Sequence, residues 1–199
     1  MKNGYVVASD DDESAVLIDP GDEVGSLLDV AARERLSVKA ILLTHAHLDH
    51  ITGVGAARAA LGVESWLHRD DDPLYRAVVQ QGVMFGLQVA AQPPVDRFYE
   101  DHQRLTFGGL QIAVHPTPGH SPGGVCLEIR GGDGMALFVG DTLFAGSIGR
   151  TDLPGGDYDT LVQSIRRVLF AFADPTPVHS GHGPDTTIGD ERRNNPYLR

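Results

Sequence analysis

The chain has 199 residues, which reads as one domain long enough to bury a core without a disulfide framework. Its 41% hydrophobic and 22% charged content is that of an ordinary globular protein. A formal net charge of −11 with no basic run repels phosphate backbones and argues against general nucleic-acid binding.

The opening Met1-Lys2-Asn3-Gly4 leads into an apolar segment too short for a signal peptide. Residues 5–9 and 15–19 are β-rich runs around an acidic turn and predict a hairpin. Over 24–36, Val24, Leu27, Leu28, Ala31 and Leu36 recur at helical spacing and predict an amphipathic helix. A buried-type strand follows at 39–44, a small-residue helix at 53–61 and a strand at 65–68. A helix is predicted over 73–85, then a loop around Pro93-Pro94. Two hairpins come next, 104–107 with 110–115 and 125–129 with 135–139, their turns carrying glycines that supply positive φ. The lone cysteine, Cys126, lies in this apolar stretch, so no intramolecular disulfide is possible and a reducing compartment is expected. A second helix is predicted over 158–172 and a last strand over 176–179. No run approaches the ~20 apolar residues of a membrane helix. A soluble, cytoplasmic protein with no membrane partner is expected, with sheets in the middle and helices outside.

The chemistry concentrates in Thr44-His45-Ala46-His47-Leu48-Asp49-His50, directly after an apolar strand. In an extended chain, residues 45, 47 and 49 project to one side, and His50 takes the next direction as the chain turns. Such a run has little packing use, whereas three imidazoles and a carboxylate can serve two adjacent metal ions. His120, between Gly119 and Ser121-Pro122-Gly123-Gly124, Asp141 and His182 each follow a strand, where functional loops sit. His68, His102, His115 and His179 stand alone and read as ordinary surface or core residues.

These residues resemble the signature of the metallo-β-lactamase superfamily, with His120, Asp141 and His182 in matching order. The resemblance implies an α+β fold, an αββα sandwich of two mixed β-sheets flanked by helices. It also implies His45, His47 and His120 on one metal, Asp49, His50 and His182 on a second, and Asp141 bridging both. Asp141 replaces the cysteine of common true β-lactamases, and His47 replaces the glutamate of the flavodiiron branch. The stretches 140–152 and 181–189, with Asn195-Pro196, look like the short glyoxalase II-like enzymes. Full-length glyoxalase II carries a helical C-terminal domain that grips glutathione, for which the residues after His182 leave no room, so another thiol carrier or acyl substrate is open.

The expected function is hydrolysis of a small-molecule thioester such as an S-2-hydroxyacyl-glutathione. Two divalent ions, Zn²⁺ best and Fe²⁺ or Mn²⁺ also suited to the ligands, would share a hydroxide. Asp49 would hydrogen-bond that nucleophile as well as ligate. No G-x-S-x-G elbow offers a serine instead. Mononuclear iron persulfide dioxygenase is the alternative in the same fold, using the residues matching His45, His120 and Asp141. A catalytically silent structural metal domain is the alternative of another class, against which the absence of cysteine ligands counts. Arg150 either orients a substrate group or pairs with Asp152, and paired loop charges are the commoner arrangement. Asp19, in Leu17-Ile18-Asp19-Pro20-Gly21, is expected to support the site or form a turn rather than ligate.

Overall fold

The computed structural model describes residues 2–132 and 134–199, so Met1 of the opening segment and Asp133 of the 131–134 turn lie outside the described residues. Strands β1 (Tyr5–Ala8) and β2 (Ser14–Ile18) form the expected antiparallel hairpin. Helix α1 (Val24–Arg33) then crosses to β3 (Ser37–Leu42), parallel to β2. It stops short of the predicted 36 because Arg35 adopts a φ of 58°, a left-handed geometry that ends helices. Short α2 (Leu48–Ile51) and α3 (Val54–Leu61) lead to β4 (Glu64–His68), again parallel.

The single helix predicted over 73–85 is two, α4 (Asp72–Arg76) and α5 (Val78–Met84), broken at Ala77. Strand β5 (Arg97–Tyr99) follows the Pro93-Pro94 loop and pairs parallel with β4, where the sequence predicts only loop. The first sheet therefore runs β1-β2-β3-β4-β5.

The second sheet begins as an antiparallel meander of β6 (Arg104–Phe107), β7 (Leu110–Pro116), β8 (Val125–Gly131) and β9 (Gly134–Gly140). A small hairpin, β10 (Leu143–Phe144) and β11 (Ser147–Ile148), stands apart. Helix α6 (Tyr158–Arg167) starts where Asp157 accepts from the Thr160 N–H at 2.7 Å. It gives way after Val168 to a 3₁₀ turn, Leu169–Ala171, rather than running to 172. Strand β12 (Pro177–Ser180) joins β9 in parallel, and β13 (Thr186–Thr187) closes the sheet in the order β13-β12-β9-β8-β7-β6. Helix α7 (Ile188–Asn194) was not predicted, although Thr187 caps it by accepting from the Asp190 N–H.

Strand alternation sorts side chains into layers. Val16, Ile18 and Leu42 of the first sheet meet Ile112, Val114, Leu127, Ile129 and Phe138 of the second. Their neighbours Ala15, Leu17 and Ile41 point the other way, onto Leu27 and Ala31 of α1 and Ala57 of α3. On the far side, Leu137, Val139 and Val178 pack against Leu161 and Ile165 of α6 and Ile188 of α7. The result is the expected αββα sandwich. Each large apolar side chain buried this way is worth about 1.5–3 kcal/mol, and Leu17, Ile41 and Leu127 are fully inaccessible. No helix of the described residues is long and apolar enough to cross a membrane.

Candidate metal centre

The site lies where strand ends from both sheets meet. Asp19 follows β2, residues 44–50 follow β3, His120 follows β7, Asp141 follows β9 and His182 follows β12. His47 has an extended backbone (φ −71°, ψ 149°), and His45 and His47 offer ligand-type atoms within 4.8 Å of each other on one side, as predicted. Asp49 then departs from the alternation, because α2 begins at Leu48 and swings Asp49 and His50 round its first turn.

Two clusters result. Ligand-type atoms of His45, His47 and His120 lie within 4.8 Å of one another, as do those of Asp49, His50 and His182. His47 Nδ1 and His120 Nε2 approach to 2.7 Å. His182 Nε2 is 3.1 Å from Asp49 Oδ2. Asp141 sits between the clusters: its Oδ2 is 3.6 Å from His120 Nε2 and 3.4 Å from His182 Nε2, and its Oδ1 is 3.4 Å from His50 Nε2. All seven predicted ligand residues are thus brought together.

The buried atoms His45 Nε2, His47 Nε2, His50 Nε2 and Asp141 Oδ1 have no hydrogen-bond partner. Buried polar atoms are nearly always paired, so orphans gathered at one point mark a place for a ligand. Imidazole nitrogens with a few carboxylate oxygens fit divalent zinc, iron or manganese.

The outer ring nitrogens are fixed from behind. His120 Nδ1 donates to the Arg150 carbonyl at 2.7 Å. His50 Nδ1 meets Asp19 Oδ2 at 3.0 Å, and His45 Nδ1 meets Thr44 Oγ1 at 3.0 Å. Thr44 in turn donates its hydroxyl to Asp19 Oδ2 at 2.6 Å and its N–H to Oδ1 at 2.7 Å. Asp19 also groups with His45 and His50 within 4.8 Å. Its oxygens are already engaged by Thr44 and His50, an arrangement that suits orienting the imidazoles. Such bonds select the tautomer that aims a bare nitrogen inward.

Electrostatics agree at the first cluster. Burial, then the neighbouring His50, holds His45 well below the usual imidazole range, and burial with His120 pulls His47 down to about 4. Burial also lowers His120. These imidazoles are neutral at pH 7, the form that binds a cation. Burial opposes a charge on His50, but Asp141 and Asp19 outweigh it and raise the ring to about 10. Burial would raise Asp141 and Asp49, yet adjacent imidazoles keep both carboxyls below the ordinary carboxylate range.

A cavity of about 560 Å³ opens over the clusters, lined by His47, Asp49, His120, Asp141 and His182 below and by apolar side chains above. Arg150 borders it but forms a two-pronged ion pair with Asp152 at 2.7 and 2.8 Å, the structural pairing the sequence favoured. The lone histidines fall elsewhere as expected. His68 faces Asp101, His115 faces Glu128 and His179 faces Asp185, while His102 occupies a turn at φ 59°.

Two supporting residues escaped the sequence reading. Asp71 is fully buried and accepts from Ala46 N–H (2.9 Å), Ser121 Oγ (2.8 Å) and Gly123 N–H (2.6 Å), tying the His45–His47 loop to the His120 loop. Gln81 of α5 donates to the Ala46 and Leu74 carbonyls and accepts from Leu48 N–H.

Comparison with known proteins agrees with this architecture. The chain matches the metallo-beta-lactamase superfamily model over residues 1–185. It is 38% identical to hydroxyacylglutathione hydrolase GloC of Haemophilus influenzae, across 95% of this chain and 89% of that one. It is 36% identical to the probable metallo-hydrolase YqgX of Bacillus subtilis, across 98% and 92%. Among solved structures it resembles the BLEG-1 B3 metallo-beta-lactamase (TM-score 0.90, 40% identity, 99% and 94% covered). It also resembles TTHA1623 in a di-iron-bound form (TM-score 0.88, 43% identity, 100% and 96% covered). ETHE1 from Myxococcus xanthus is similar at TM-score 0.81 and 28% identity, covering 98% of this chain and 78% of that one. Strand order, ligand-type clusters and family match coincide along nearly the whole chain, and the protein belongs to the metallo-β-lactamase superfamily.

Proposed function

We propose that residues 1–199 form one domain of a two-metal thioester hydrolase. His45, His47 and His120 would hold one ion, Asp49, His50 and His182 the other, and Asp141 would serve both. The position of Asp141 Oδ2 carries this reading, since one oxygen faces His120 at 3.6 Å and His182 at 3.4 Å. When bound, divalent zinc, or iron or manganese in its place, supplies an acidified water of pKa about 7 and a Lewis acid for the thioester carbonyl.

The chain's own residues do the rest. Asp49 remains ionised at neutral pH and exposes its carboxylate to the cavity, where it accepts a hydrogen bond from the attacking water and holds it in line. Asp19 and the Arg150 carbonyl fix the imidazoles before substrate arrives. The apolar walls reduce the water around a bound acyl group. The similarity to GloC supports a 2-hydroxyacyl thioester. Cys126, free and buried, supports a reducing, cytoplasmic setting.

A mononuclear iron persulfide dioxygenase is the second reading, favoured by the proximity of His45 and His120 in the first cluster, with Asp141 beside His120. Metal analysis of Asp141→Ala tests the proposal. Loss of two-ion occupancy is expected, and content equal to the parent contradicts the spanning role. Chelation of the parent should abolish turnover while circular dichroism is retained. Unfolding on chelation would mark a structural metal site instead.

A further inference from the structure

The cavity over the clusters has mainly apolar walls. Leu48, Phe85, Leu87, Phe144, Ile148 and Leu153 surround it. Phe85 and Leu87, on either side of Gly86, are 48% and 53% exposed at its mouth, large apolar groups with open faces. Single exposed apolar residues are commonplace, but a group rimming a cavity marks a binding surface. At about 560 Å³ the space is that of a small-molecule site.

Charge is confined to the floor. Among the described residues lining the cavity, the one side chain with a permanent cation is Arg150, whose charge is offset by Asp152 on its Nε–Nη2 edge. Gln81 is committed to the backbone of Ala46, Leu48 and Leu74. Ser147 adds one neutral hydroxyl. The chain as a whole carries a formal net charge of −11. Carboxylates are recognised by free Arg or Lys prongs, and an unpaired anion brought into an apolar cleft loses hydration without compensation. Glutathione brings two carboxylates, so these walls are a poor match for it.

We propose that the cavity selects thioesters whose thiol arm is uncharged, such as acylated amide derivatives of cysteamine, with Phe85, Leu87 and Leu153 as the selecting wall. This rests on the thioesterase reading for its chemistry. Water adds to the carbonyl carbon, the C–S bond breaks, and the products are a carboxylic acid and a neutral-armed thiol.

The test uses two substrates with one acyl group, S-butanoyl-N-acetylcysteamine and S-butanoylglutathione, on protein purified without chelator, with released thiol read by a thiol reagent. The matching thioethers, S-butyl-N-acetylcysteamine and S-butylglutathione, are titrated by calorimetry. The neutral arm should be favoured by about tenfold or more in kcat/KM and in thioether affinity. Leu87→Lys should shrink both ratios by about tenfold, through the glutathione compounds. Equal or better turnover of the glutathione thioester overturns the inference and leaves the hydrolase reading intact. No turnover of either thioester overturns the hydrolase reading, and the thioether affinities still decide the inference: tenfold preference for the neutral arm supports it, and none overturns it.

Discussion

Asp19 Oδ2 meets His50 Nδ1 at 3.0 Å while accepting the Thr44 hydroxyl at 2.6 Å, and Thr44 in turn backs His45. One carboxylate thus orients a member of each cluster. Asp19→Asn keeps the shape and tolerates the φ of 47°, since Asn adopts left-handed geometry readily. It places a donor where an acceptor is needed. Metal affinity should fall about 10–100-fold with the fold retained, as read by competition with a chromophoric chelator and by circular dichroism. Affinity within twofold of the parent would show that the ring orientations are set by packing alone.

Asp71 presents the opposite balance. Its replacement by Ala strands the N–H groups of Ala46 and Gly123 and the Ser121 hydroxyl in the interior. Each orphan costs about 1–3 kcal/mol. A total of roughly 3 kcal/mol or more lowers Tm by about 6–12 °C in a domain of this size. Thermal unfolding of the metal-free protein checks this. A shift of a degree or two would mean that water replaces the carboxylate without loss.

Gly181 has no room for a side chain. A Cβ there would overlap Asp141 Oδ1 and His50 Cε1, so the glycine is a condition of the second cluster. Gly181→Ala should reduce occupancy of that cluster more than the first, measured as ions retained per chain after mild dialysis. Full retention of both ions would contradict the close approach.

Alkaline stability follows from the tyrosines. Burial, then Asp185, raises Tyr5 to about 12, and burial raises Tyr75 and Tyr99 further. Each phenol holds its proton more tightly folded than unfolded, where it titrates near 10. Stability from these groups is therefore complete below pH 10 and is lost as pH rises through 12. Absorbance at 295 nm should show their ionisation coinciding with the loss of far-ultraviolet circular dichroism. Ionisation of every tyrosine near pH 10 in a still-folded chain would rule this out.

The candidate ligands were legible because His45, His47, Asp49 and His50 crowd together without a packing role, and because His120, Asp141 and His182 each follow a strand. Asp71 was hidden in the run Asp70-Asp71-Asp72, which reads as solvated; its burial depends on loops brought from residues 46 and 121–123. β5 has three residues and exists through its pairing with β4, a partner that local pattern cannot supply. The breaks at Ala77 and Val168 lie within continuous helical periodicity, which tertiary packing overrides. The start of α7 carried a readable signal, the Thr187 cap three residues before Asp190. The apolar cavity wall was not readable, because Phe85 and Leu87 look like any buried face until the fold leaves them open above the ligands.

The most direct test of the central claim is metal content per chain on protein purified without chelator, measured beside hydrolysis of S-lactoylglutathione and of the neutral-armed thioester. The account predicts about two divalent ions per chain and turnover of a thioester that disappears on chelation. A single iron, no thioester turnover and oxygen uptake with glutathione persulfide would contradict it and establish the dioxygenase.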